Sequence, residues 1–240
     1  MTVIPQHYKG STKRERVEEM FDSIATRYDL LNKVLSAGID KSWRKKAIDE
    51  LIAIKPNAIL YIATGTADLA LECMRLKPAE IIGIDISNKM LDIGRHKIMA
   101  KGYQGIIRLE QADSEQLPYD DARFDAITVA FGVRNFEHLE EGLKEMYRVL
   151  RPGGKVVILE FSQPDRFPVK QFYNFYSYKV MPKIGQMLSK ERSAYEYLPA
   201  SVSAFPHGKN FLSILTKTGF KDTKSIPLTF GIASIYTGIK

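Results

Sequence analysis

Apolar positions along this chain change their spacing in a way that predicts helices first and then alternating strands and helices. Between Ser11 and Tyr28, the residues Val17, Met20, Phe21, Ile24 and Tyr28 recur at threes and fours opposite Glu15, Glu18 and Glu19, which marks one helical face. A second amphipathic segment runs from about Lys41 to Ile54 around Trp43, Ala47, Leu51 and Ile52, and Pro56 stops it. Short apolar runs then follow at Ile59–Ala63, Ile81–Ile84, Ile106–Glu110, Phe124–Phe131 and Lys155–Phe161, which read as buried strands. Helical patterns separate most of them. One ends before Pro78, one is capped by Ser87 and ends near Gly102, and one carries Leu139, Leu143, Met146, Tyr147 and Leu150 and stops at Pro152-Gly153-Gly154. Strand, crossover helix and parallel strand in succession give an α/β doubly wound sheet.

The alternation breaks after the fifth strand. From Pro164 to Pro206 lies an aromatic-rich insert, Phe172-Tyr173-Asn174-Phe175-Tyr176-Ser177-Tyr178, continuing through Val180-Met181-Pro182 to Tyr195 and Tyr197. Packing and a lid over an apolar ligand are equally good readings of it. A last helix covers about 208–218. Phe220–Ile226 and Leu228–Tyr236 read as two strands joined tightly at Pro227, hence antiparallel. The whole of 1–240 reads as a single domain: 1–55 a helical cover, 56–163 the βα core, 164–206 the insert, 207–240 the final helix and hairpin.

Composition narrows the class. Hydrophobic residues at 45% and charged residues at 26% of 240 are globular proportions. No apolar run reaches the roughly 18 residues that span a bilayer, and no secretory core is present, so a cytoplasmic protein is expected. The single cysteine, Cys73, excludes an internal disulfide and a cysteine metal cluster, and no metal is expected. A net charge of +7 is scattered over Lys13-Arg14, Arg44-Lys45-Lys46 and the segment after position 166, without the motifs of nucleic-acid binding. Such a basic rim suits a solvated face or transient peripheral contact with the inner face of a membrane. None of the four histidines has the spacing of a catalytic grouping.

Candidate chemistry concentrates at strand ends. Thr64-Gly65-Thr66-Ala67 follows the first strand and Asp85 closes the second about 20 residues later, the interval at which nucleotide-binding α/β folds place a carboxylate on ribose hydroxyls. Only one glycine stands in the turn, so a ligand with a ribose but no pyrophosphate fits better than a dinucleotide. Gly65 as a plain turn glycine and Asp85 as a strand-end cap is the competing reading. Asp113-Ser114 follows the third strand on the same edge, where Asp113 suits either an exocyclic amine or an ordinary turn.

Together these residues resemble a Rossmann-like class I S-adenosylmethionine-dependent methyltransferase, with a mostly parallel seven-stranded sheet, an antiparallel last strand, two extra amino-terminal helices and the insert after strand five. More narrowly, Phe131-Gly132-Val133-Arg134-Asn135, the run Met146 to Gly154, and Phe21-Asp22 through Tyr28-Asp29 and Asn32 resemble the C-methyltransferases of quinone biosynthesis, which act on demethylmenaquinol or its ubiquinone-pathway counterpart. The resemblance implies Gly65, Thr66, Asp85, Asp113 and Ser114 at S-adenosylmethionine, and Arg134, Asn135 and Tyr28 at a prenylated naphthoquinol. A homodimer is compatible with it. Ala67 stands where many methyltransferases have glycine, and Tyr61 where the family has an aspartate that anchors the methionine amino group. A methyltransferase of another apolar molecule and a non-catalytic binding module therefore stay as alternatives.

Overall fold

Side-chain alternation along the first strand divides the molecule into layers. The computed structural model describes residues 3–180 and 192–240. Strand β1 (Ala58–Ile62) is buried at every position. Ala58, Leu60 and Ile62 join Leu143, Met146, Phe211 and Leu215 on one side of the sheet, whereas Ile59 and Tyr61 join Trp43, Leu51, Leu69 and Leu91 on the other. A strand covered on both faces has no polar side to show, which is why the run reads as unbroken apolar sequence. Each such side chain withdrawn from water contributes roughly 1.5–3 kcal/mol.

Strands β2 (Glu80–Asp85), β3 (Ile107–Gln111), β4 (Phe124–Ala130), β5 (Leu150–Phe161), β6 (Lys221–Leu228) and β7 (Ala233–Ile239) complete a sheet of order β3-β2-β1-β4-β5-β7-β6. The first five pair in parallel, and β7 runs antiparallel between β5 and β6. The seven-stranded doubly wound sheet with a reversed last strand is the expected one. Strand order reverses between β1 and β4, so the crevice beyond their carboxyl ends is where such a sheet takes a ligand.

Among the described residues the α-helices are α1 (Lys13–Ile24), α2 (Tyr28–Leu35), α3 (Asp40–Asp49), α4 (Asp68–Cys73), α5 (Asn88–Ala100), α6 (Leu139–Val149), α7 (Val169–Phe175), α8 (Arg192–Ala204) and α9 (Lys209–Thr218). Ser87 caps α5 by accepting from the Met90 amide at 3.2 Å, and Thr12 with Glu15 forms a reciprocal capping box on α1. A third apolar cluster, with Val17, Met20, Leu31, Met90, Tyr195 and Tyr197, joins α1, α2 and α8 above the sheet.

Three local expectations are corrected. The first amino-terminal helix does not run to Tyr28: a 3-10 turn at Ala25–Arg27 ends it, and Tyr28 begins α2, so three α-helices rather than two precede β1. After the tighter turn Leu31 packs inward and Tyr28 lines the crevice. The link between the last strands falls at residues 229–232, not at Pro227, which lies inside β6 opposite Ser234. Because β6 is the sheet's edge, a proline without an amide donor is tolerated there. Strand β5 begins at Leu150 rather than Lys155: Leu150 faces Phe124 and Lys155 faces Ala126, so Arg151–Gly154 form an irregularity within the strand, with Gly153 at φ +78°. In the insert, α7 continues as one π-helical stretch to Val180, and Pro199 sits inside α8. Met181 and Pro182 lie outside the described residues.

Candidate active site

The loop after β1 is built from backbone that favours glycine. Ala63, Gly65 and Ala67 take φ of +54°, +53° and +67°, two of them in spite of a Cβ. Non-glycine residues held this way cost of order 1–3 kcal/mol each and persist where the surroundings fix them. Ala67 is fully buried, and a side chain on the facing Gly94 of α5 would meet its Cβ at 3.1 Å. That close packing of loop on helix holds the turn without a second glycine.

Asp85 ends β2 beneath this turn. Its Oδ2 accepts from the Gly65 amide at 2.7 Å and its Oδ1 from the Ser87 amide at 2.9 Å. Burial pushes its carboxyl up to about 6, against the pull of those amides. Asp113, past β3, accepts from the Glu115 amide at 2.9 Å and pairs with Arg14 of α1 at 3.0 Å. Gly65, Asp85, Asp113 and Ser114 all line one cleft of about 700 Å³, floored by Ile84, Ile86 and Met90.

Thr66 does not line this cleft but lines the neighbouring, larger cavity and enters a charged network. Its Oγ1 donates to Asp29 at 2.6 Å and accepts from Lys97 at 3.0 Å, and Lys97 also pairs with Asp29 at 2.5 Å and Asp68 at 2.7 Å. Arg44 extends it to Asp68 at 3.4 Å and to Asp40 at 2.6 Å, which Ser36 also reaches at 2.7 Å. Sequence reasoning brought out Thr66 and, within the Tyr28-Asp29 motif, Asp29, but not their link; Asp29, Lys97 and Arg44 sit on three different helices, and no spacing joins them.

Beyond β4 the chain turns at Phe131, φ +58°, and Gly132, where any Cβ would overlap that of Ala63. Close contact between the ends of β1 and β4 therefore needs this glycine. Arg134 follows on a 3-10 turn, and its side chain is held by Glu160 of β5: Nη1 meets the carboxylate at 2.8 Å and the guanidinium lies over the Phe161 ring at 5.5 Å. Nη1 also donates to the Phe131 carbonyl, while Nε is buried without a hydrogen-bond partner. Glu160 has no exposed surface, and burial raises its carboxyl while Arg134 and the Phe161 amide draw it back. Lys13 of α1 donates to the carbonyls of Phe136 at 2.6 Å and Arg134 at 3.1 Å, and burial lowers its amine to about 8. Asn135 accepts from the Tyr197 hydroxyl at 3.2 Å.

Arg134 lines a second, larger cavity of about 1580 Å³, bounded by α2, α7, α8 and the loops after β1 and β4. The two cavities share Phe21, Tyr28, Ala63, Gly65, Ala130 and Phe131, so they meet at the Gly65 turn; Asn135 lines the first and Arg134 the second. Tyr28 stands at the junction, 3.9 Å from where a Gly65 side chain would begin. It is hydrogen-bonded to Asn32, and its hydroxyl is raised by burial. Tyr61 is buried in the core layer beside Trp43 and also lines the larger cavity, together with Asp40, Arg44 and Asp68. Burial raises its hydroxyl well above the usual phenol range, so it is a neutral group. Among the described residues no group of three or more His, Cys, Asp or Glu side chains is placed to hold a metal ion.

A seven-stranded sheet with β7 reversed, and a carboxylate at the end of β2 below a left-handed turn, define a class I methyltransferase. Solved structures agree on that fold: a Thermotoga maritima SAM-dependent methyltransferase, described as a possible histamine N-methyltransferase, superposes at TM-score 0.64 and 19% identity over 93% of this chain and 99% of that one. Human N-acetylserotonin methyltransferase in complex with SAM gives TM-score 0.63 and 16% identity over 93% of this chain and 58% of that one.

The chain belongs to the ubiE/COQ5 methyltransferase family, whose model matches residues 9–240. It is 50% identical over 238 residues to a demethylmenaquinone methyltransferase of Bacteroides fragilis, covering 99% of this chain and 97% of that one. It is 49% identical to the ubiquinone/menaquinone biosynthesis C-methyltransferase UbiE of Geotalea daltonii, covering 97% of this chain and 100% of the relative.

Proposed function

We propose that this enzyme methylates a ring carbon of demethylmenaquinol, with S-adenosylmethionine as donor, to give menaquinol. The observation that carries the reading is the meeting of two cavities at Gly65 and Tyr28, one lined by the carboxylates Asp85 and Asp113 and the other by aromatic rings and Arg134. The first cavity fits the nucleoside. A half-buried carboxylate whose only side-chain hydrogen bonds come from backbone amides keeps acceptor capacity for ribose hydroxyls, and apolar Ile86 and Met90 suit an adenine face. The network beside the cavity that Tyr61 lines sets the carboxylates Asp29, Asp40 and Asp68 against the cations Arg44 and Lys97, and its excess of negative charge stands in place of the aspartate usual at position 61. Bound there, S-adenosylmethionine supplies an electrophilic methyl group on its sulfonium.

The chain's own residues position, desolvate and stabilise. Arg134 stays protonated near neutral pH and is a poor base, so its task is to hold negative charge on the quinol oxygen that makes the ring carbon nucleophilic. Arg134 lines the larger cavity, which is what puts its guanidinium within reach of that oxygen. Tyr28, kept neutral by burial, donates a hydrogen bond rather than taking a proton. Most of the acceleration then comes from placing the ring against the methyl and excluding water. Contact with the inner face of the membrane follows from the acceptor's lipid tail.

Incubating the protein with S-adenosylmethionine and demethylmenaquinol under reducing conditions tests the reading by mass. A gain of one methyl supports it. Methylation of other apolar phenols but not of this quinol would leave a methyltransferase of a different substrate, and failure to bind S-adenosylmethionine would leave a binding module.

A further inference from the structure

The large hydrophobic side chains that the fold leaves in water are not scattered. Among the described residues eight of ten lie in three segments: α2 with the turn to α3, residues 167–178, and the β6–β7 link. Other residues of the same segments, Leu35, Tyr173, Tyr176 and Thr229 among them, line the larger cavity. Phe172, Phe175, Val34 and Phe230 are therefore the immediate neighbours of lining residues, and Phe172 and Phe230 are 71% and 82% exposed. The Tyr176 hydroxyl donates to the Leu35 carbonyl at 2.8 Å, which ties the two helical segments into one rim. A continuous exposed apolar rim around a cavity mouth marks an interaction surface.

Charge decides what covers it. Residues 166–180 contain Arg166, Lys170 and Lys179 and no acidic residue. On the α2 side Lys33 and Lys41 are exposed, while the acids of that stretch are already ion-paired, Asp29 with Lys97 and Asp40 with Arg44. None of the five cations has a carboxylate partner among the described residues. Exposed aromatics flanked by unpaired cations match the headgroup boundary of an anionic bilayer, where aromatic rings settle and each Lys or Arg near the surface contributes about 1 kcal/mol.

We infer that this rim docks on an anionic phospholipid surface, so that the cavity opens toward the lipid and a prenylated acceptor enters without crossing water. The inference rests on the proposed function and names the partner of the same site. No described helix is long and apolar enough to cross a membrane, so the contact is peripheral.

Co-sedimentation of the full chain with vesicles tests it, using phosphatidylcholine alone and phosphatidylcholine mixed with phosphatidylglycerol. The expected result is binding to the mixed vesicles, reversed by salt, with weak binding to the neutral ones. The Lys170→Ala/Lys179→Ala and Phe172→Ser/Phe175→Ser variants should each bind at least about tenfold more weakly, while turnover of a tail-less, water-soluble acceptor stays unchanged. Equal binding of wild type and variants overturns the docking surface, as does a rim buried in a dimer that ignores vesicles. Turnover of the soluble acceptor without vesicle binding overturns the docking alone; vesicle binding without turnover overturns the activity alone.

Discussion

Glu160 carries Arg134 on a carboxylate with no exposed surface, the two meeting at 2.8 Å across the ends of β5 and β4. Buried in this way, the acid fixes which edge of the guanidinium is spent inside the protein while the residue still lines the larger cavity. Glu160→Gln keeps the shape and removes the charge. A lost charge-assisted hydrogen bond of about 1.5–3 kcal/mol corresponds to roughly 10- to 150-fold in turnover. Steady-state kinetics should show that loss with cofactor affinity unchanged by calorimetry, and Glu160→Asp should recover part of it. Arg134→Ala should give the same pattern, more severely; equal loss of cofactor affinity would argue against its placement at the acceptor.

Asp85 makes cofactor affinity depend on pH. Its carboxyl lies at about 6, raised from 3.8 by burial. Ribose hydroxyls donate to the ionised form, so binding draws the group back down. Affinity for S-adenosylmethionine should therefore be level above pH 7 and weaken as pH falls through 6, by up to about tenfold per unit of downward shift. Calorimetry between pH 5 and about 8 reads this, and Asp85→Asn should abolish the dependence. The stability effect has the opposite sense: a raised carboxyl favours the ligand-free fold most below pH 3.8, and that contribution is lost as pH rises through 6.

Lys97 holds the Gly65-Thr66 turn through the Thr66 hydroxyl at 3.0 Å. Lys97→Met leaves Asp29 and Asp68 without their lysine and frees the Thr66 hydroxyl from one of its two partners. Lys97 is partly exposed, so the expected loss is about 0.5–1.5 kcal/mol, or roughly two- to twelvefold in cofactor dissociation constant, with turnover at saturation nearly unchanged. A collapse of turnover with normal affinity would place the network at the acceptor instead.

Gly132→Ala tests the contact between the ends of β1 and β4. Its Cβ would overlap that of Ala63, and overpacking of this kind costs about 1–3 kcal/mol. At about 2–4 °C per kcal/mol for a chain of this size, thermal unfolding should show the loss directly. Ala63→Gly in the same protein should restore stability, because residue 63 already sits at φ +54°.

Apolar periodicity was enough to locate the strands of the parallel core and the crossover helices, because residues buried on both faces have no freedom to be polar. Strand-end positions of Gly65, Asp85, Asp113 and Arg134 were legible for a related reason: open α/β sheets bind ligands at one edge, so polar residues just past each strand can be assigned to it. The break at Ala25–Arg27 was not legible. Residues through Tyr28 keep helical spacing, and only packing of α2 against the cavity shows where the helix must turn.

By itself the sequence determined the α/β class, the sheet's reversed last strand and the sheet edge at which the candidate residues gather. Those follow from local spacing and from chain connectivity. Tertiary structure alone decided that Glu160 orients Arg134, that Asp29, Lys97 and Thr66 form one network, and that Lys13 fastens α1 to the turn after β4. Such pairings join residues 26 to 123 positions apart, and only the folded chain brings the charges within reach of one another.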